Sequence, residues 1–85
     1  ESNYSISLYP NPSSSYTSIE INSNKNEKIS IGLHSVIGTL VKKWEYLTYD
    51  GDNTLNLNLQ GIKPNTYFLC VQAGNEYIYK KLIVN

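Results

Sequence analysis

Along most of the chain apolar and polar side chains alternate one for one, the period of a strand with one face buried and the other in water. No segment sustains the i, i+3, i+4, i+7 spacing of an amphipathic helix, so the pattern predicts an all-β protein. Ile6 and Leu8 mark a short first strand. Thr17, Ile19 and Ile21 mark a second, which ends in the polar loop NSNKNEK at residues 22–28, and Ile29, Ile31 and Leu33 carry a third. The segment HSVIGTLVKKWEY predicts a turn over Val36 to Thr39, with Gly38 supplying a backbone conformation closed to most side chains, and then a fourth strand. In that strand Leu40, Lys42, Trp44 and Tyr46 share one face and Val41, Lys43 and Glu45 the other. The inward face is ambiguous there, and a bulge shifting the register between Val41 and Trp44 is one resolution.

The run TYDGDNT, residues 48–54, is dense in turn formers and reads as a turn. Beyond it Leu55, Leu57 and Leu59 alternate with Asn56, Asn58 and Gln60. After the loop GIKPN, Tyr67, Leu69 and Val71 point inward and Phe68, Cys70 and Gln72 outward. The turn AGNE at residues 73–76 leads to a closing strand through Val84, with Ile78, Lys80, Leu82 and Val84 on one face and Tyr77, Tyr79, Lys81 and Ile83 on the other. Seven short strands joined by loops too short for parallel crossovers predict a seven-stranded antiparallel immunoglobulin-like β-sandwich, with residues 1–85 as one domain. Two layers are required because a single sheet of such strands buries too little apolar area.

In SLYPNPSSSYTSIEI, residues 7–21, Pro10 and Pro12 break the alternation. Proline lacks the amide a ladder needs, and Asn11, preceding Pro12, is pushed toward extended geometry. The chain is therefore expected to leave the first strand, turn a stiff corner and re-enter a strand by Tyr16. The corner is expected to be structural and to bind no ligand.

Seven basic and seven acidic residues cancel, so net charge draws the chain over long range neither to nucleic acid nor to anionic lipid. No apolar run approaches the roughly 20 residues that span a bilayer. No signal-peptide pattern is present. The chain has no methionine and begins with Glu1, and is expected to be a piece of a longer polypeptide, its export signal upstream and its role accessory. One cysteine, Cys70, excludes an internal disulfide, a Cys-based zinc cluster and a CxxC pair.

Reactive groups are sparse. His34 and Cys70 are a base and nucleophile only if the fold brings them together, and the plainer reading is two strand positions. Asp50 and Asp52 in DGDN are spaced like calcium ligands, without the glycine and glutamate of an EF-hand, and read first as part of a turn. Trp44, Tyr46, Tyr49, Tyr77 and Tyr79 would make a sugar-stacking platform if they shared one face, which keeps a carbohydrate-binding or adhesive module as the alternative function. Asn3-Tyr4-Ser5 is a sequon, and Asn11-Pro12-Ser13 is disqualified by its proline. No catalytic residue, metal or cofactor is assigned.

Three stretches, LYPNPSSSYTSIEI, IGLHSVIGTLV and LNLQGIKPNTYFLCVQAGNEYIYKKLIVN, together resemble the C-terminal sorting domains of the type IX secretion system, with order and spacing held over nearly the whole chain. Pro10, Asn11, Pro12, Gly38, Pro64, Asn65 and Tyr67 stand at the positions of the family motif. Where the family usually has glycine after the proline stands Asn65, the non-glycine residue most tolerant of left-handed geometry. Ser35 replaces an Asp or Asn before the middle turn, still able to bond a nearby amide. Cys70 takes an outward position that is typically polar or basic.

The resemblance implies a non-enzymatic signal, covalently linked to an upstream cargo domain, that passes through the periplasm to the cell surface or the medium. Its implied partners are the type IX translocon, an outer-membrane shuttle protein and a sortase-like cysteine protease that cuts near or upstream of Glu1 and joins cargo to anionic lipopolysaccharide. The expected recognition determinant is the end of the last strand, Lys80, Lys81, Leu82, Ile83, Val84 and Asn85, engaged by backbone pairing or by surface shape. If that strand is an edge, Lys80 and Lys81 also discourage indiscriminate pairing.

Overall fold

Alternation gives every strand an apolar face, and the fold closes those faces on one another. The computed structural model describes residues 4–85. Its strands are β1 (Ser5–Tyr9), β2 (Tyr16–Ser23), β3 (Glu27–Ser35), β4 (Leu40–Thr48), β5 (Gly51–Asn58), β6 (Asn65–Ala73) and β7 (Glu76–Val84). One sheet runs β1-β2-β5 and the other β4-β3-β6-β7, with every neighbouring pair antiparallel. No helix occurs among the described residues. The architecture is the immunoglobulin-like sandwich that the strand count and spacing predict.

Ile19, Ile21 and Leu57 from the three-stranded sheet and Ile29, Ile31, Leu33, Leu69, Val71 and Leu82 from the four-stranded sheet are sealed from solvent in one apolar cluster. Trp44, Tyr46 and Ile78 pack against it, half-buried. The faces of β3, β6 and β7 are those read from the pattern.

Three local expectations fail for physical reasons. First, β5 begins at Gly51, inside the run read as a turn, because Asp52, Asn53 and Thr54 pair with Asn22, Ile21 and Glu20 of β2. The turn itself shrinks to Tyr49 and Asp50. The polar loop 22–28 also shortens, since β2 runs through Ser23 and β3 starts at Glu27.

Second, the β3–β4 register steps from Leu33↔Lys42 to His34↔Leu40, so the extra residue is Val41, the first of the expected interval, and Leu40 does not share the face of Lys42, Trp44 and Tyr46. The bulge turns Leu40 to the outer face with His34 and leaves Lys42, Trp44 and Tyr46 on the inner one. Third, Asn65 is not left-handed: no described non-glycine residue has positive φ, and Gly61, at φ 86°, takes that conformation in the β5–β6 loop. Asn65 instead opens β6, its Oδ1 accepting from the Thr66 amide at 2.8 Å.

Candidate functional site

β7 lies at the rim of the four-stranded sheet, paired on one side with β6. A rim strand carries a row of main-chain groups with no ladder partner. Here the corner between β1 and β2 covers part of that row. Asn11 Nδ2 donates to the Lys81 carbonyl at 2.9 Å, and the Ile83 amide donates to Asn11 Oδ1 at 3.0 Å. The Ser13 amide donates to the Ile83 carbonyl at 2.9 Å, and the Asn85 amide to the Ser13 carbonyl at 2.7 Å. Ser13 and Val84 thereby form a parallel bridge.

The prolines explain why a side chain does this work. Pro10 and Pro12 remove two main-chain donors, and the carboxamide of Asn11 supplies a donor and an acceptor in their place. Around it the corner is pinned by Thr17 Oγ1, which donates to the Pro10 carbonyl at 3.0 Å, and by the Leu59 amide, which donates to the Ser15 carbonyl at 2.9 Å. The peptide bonds preceding Pro10 and Pro12 are both cis. The Ser13 hydroxyl is buried with no hydrogen-bond partner among the described residues, so Ser13 ties β7 through its main chain alone.

The corner is therefore a hydrogen-bonded strap over the last strand. Sequence reasoning treated it only as a turn. The readable signal was an amide side chain placed between two residues that cannot donate.

Of the terminal residues, Leu82 and Val84 are in the core, Lys80 and Ile83 are half-buried, and Lys81 and Asn85 are exposed. The other motif residues hold turns. Gly38 sits at φ 92°, its amide donating to the Ser35 carbonyl at 2.9 Å, while the Thr39 amide donates to Ser35 Oγ at 3.1 Å. Tyr67, buried at the start of β6, donates its hydroxyl to the Lys63 carbonyl at 2.6 Å and anchors the loop that carries exposed Pro64. This is the tyrosine-corner arrangement of immunoglobulin-like sandwiches.

The remaining candidates separate. Trp44 and Tyr46 face inward against the core, Tyr77 and Tyr79 stand exposed on the outer face of the sheet, and Tyr49 is in the β4–β5 turn, so the five aromatics form no single platform. Asp50 lies in that turn, whereas Asp52 is on β5 and accepts from Asn22 Nδ2 at 2.7 Å. Among the described residues no three His, Cys, Asp or Glu side chains cluster as metal ligands do.

His34 and Cys70 do share the outer face, where the imidazole folds over Gly32: its Nε2 is 2.9 Å from where a Cβ would stand. Cys70 is half-buried, and its side chain beside the Tyr79 hydroxyl on the neighbouring strand raises the Tyr79 pKa. Asn3 of the sequon and Glu1, near the expected cleavage point, fall outside the described residues.

Sequence reasoning also missed Asn53. Its buried carboxamide donates to the Ile21, Tyr49 and Gly51 carbonyls at 3.2, 2.9 and 3.1 Å and accepts from the Tyr49 amide at 2.8 Å, binding the β4–β5 turn to β2.

No curated protein matches the chain. A family model described as Secretion system C-terminal sorting domain matches residues 7–85, from β1 through the corner to the end of β7. The chain therefore belongs to the secretion-system C-terminal sorting domains and is a sorting signal of type IX secretion, directing its protein toward the cell surface or the medium.

Proposed function

We propose that the machinery reads this signal at the end of β7, from Lys80 to Asn85, as a fixed surface and not as an added strand. The supporting observation is the strap. From Lys81 to Val84 the main chain is paired with β6 on one side, and from Lys81 to Asn85 it is held by Asn11 and Ser13 on the other. A partner that added a strand there would first have to displace four hydrogen bonds, whereas one that reads side chains and shape docks on the surface as it stands.

In this reading the domain, linked to cargo upstream, crosses the periplasm and presents this surface to the type IX translocon and its outer-membrane shuttle protein. A sortase-like cysteine protease then cuts near or upstream of Glu1 and transfers the cargo to anionic lipopolysaccharide. The signal contributes position and shape, and catalyses none of these steps.

The test fuses the chain to a reporter in a type IX-competent host. Deleting residues 81–85 also removes Leu82 and Val84 from the core, so the informative variant is Lys81→Glu with Ile83→Ser, which changes outer-face side chains and leaves the strap's main-chain bonds in place. Export is expected to fall about tenfold or more, with circular dichroism unchanged. Undiminished export of the double variant would contradict the proposal.

A further inference from the structure

Net neutrality conceals a strong separation of charge. From the row Lys43–Gly32–Cys70–Tyr79 to the end that carries the strap, the four-stranded sheet holds Lys42, Lys43, Lys80 and Lys81 and no carboxylate. Lys63 lies in the β5–β6 loop at the same end. The described acids lie elsewhere: Glu27, Glu45, Asp50, Asp52 and Glu76 toward the opposite end and Glu20 in mid-β2. The two lysines in that acidic region, Lys25 and Lys28, are paired with Glu27 at 3.5 Å and Glu45 at 3.2 Å. One pole is thus basic.

The same pole carries the two most exposed aliphatic side chains among the described residues, Ile37 and Val36, while Leu47, 54% exposed, stands alone at the other end of β4. In and beside the β3–β4 turn, Ile37 is 86% exposed, Val36 61% and Leu40 52%, with bulged Val41 next to them at 42%. Cross-strand pairing sets Leu40 in one row with His34, Phe68 and Lys81, and Lys42 in the next with Leu33, Leu69 and Lys80. Leu40, Lys43 and Lys81 therefore share the outer face at this pole, whereas Lys42 and Lys80 lie on the inner one.

We propose that this pole docks on an anionic lipid surface, the Val36–Val41 turn entering the headgroup layer while Lys43, Lys63 and Lys81 meet lipid phosphates. A projecting apolar tip ringed by cations is the arrangement that binds bilayer interfaces, through buried apolar area and attraction to anionic lipid together. An acidic protein partner fits less well. Protein interfaces are depleted in lysine and enriched in arginine, and all seven basic residues of this chain are lysines. The strap and the end of β7 lie at this pole, so docking would hold the sorting surface at the membrane.

The test is co-sedimentation of the 85-residue chain with phosphatidylcholine vesicles and with vesicles containing phosphatidylglycerol. Binding is expected only to the anionic vesicles and is expected to be lost in high salt, which screens exposed charges. The triple variant Lys43→Gln, Lys63→Gln, Lys81→Gln should weaken it about a hundredfold, and Ile37→Ser about tenfold. Lys25→Gln with Lys28→Gln, at the other pole, should leave it unchanged. Absence of binding, equal binding to both vesicles, or a triple variant that binds like the parent would overturn the proposal. The assay does not pass through export, so such a result leaves the sorting reading standing.

Discussion

Replacing Leu82 by alanine is expected to destabilise the domain by about 3 kcal/mol, within the range for buried leucines. Leu82 is fully buried and lies opposite Tyr67 in the β6–β7 ladder. It is also the residue between the two main-chain contacts of Asn11, at Lys81 and Ile83. Truncation therefore leaves a cavity beneath the stretch of strand that the strap covers. A domain of this size holds only about 5–15 kcal/mol in total, so the loss should be evident as a lower urea midpoint at unchanged slope. Leu82→Met, close to the same volume, should cost less than about 1.5 kcal/mol. Equal losses for the two variants would show that packing is not what Leu82 contributes.

Asn53→Ala should be nearly as damaging, at about 2–3 kcal/mol, because it strips partners from groups that have left bulk water. The carboxamide serves the Ile21, Tyr49 and Gly51 carbonyls and the Tyr49 amide, and the side chain is 5% exposed. Asn53→Asp keeps the shape but faces a carboxylate toward three carbonyl oxygens, so it should be no better tolerated. Hydrogen exchange at Tyr49 should quicken in both variants before global unfolding. Wild-type stability in Asn53→Ala would mean that water replaces the carboxamide without cost.

Strand identity was legible wherever one face had to be apolar, as in β3, β6 and β7, because burial enforces a period of two. It was not legible at Gly51 to Thr54, where turn-forming residues pair with β2 and Asn53 meets its own polar needs inside the fold. Propensity is a weak guide when a ladder and a buried hydrogen-bond set compete with it. The bulge at Val41 was anticipated at the edge of its interval, but the outward turn of Leu40 was not, since it depends on the pairing of β4 with β3.

Tyr77 and Tyr79 were placed correctly on β7, yet which aromatics share a face depends on register across four strands. The strap and the basic pole were hidden for a related reason. Asn11 and Ile83 are 72 residues apart in sequence, and the lysines of β4, the β5–β6 loop and β7 converge only when the sheets close.

The central claim is that the strap holds the end of β7 in the form the machinery reads, and Asn11→Ala tests it most directly. That substitution removes the two side-chain bonds to Lys81 and Ile83 at an expected cost of about 1–2 kcal/mol, and it leaves the β6–β7 ladder and the core side chains in place. Reporter export should drop at least about tenfold while the purified variant keeps its β-sheet spectrum and a cooperative unfolding transition. Export equal to or above wild type would mean that the terminal strand is read with the strap open, and would contradict the account.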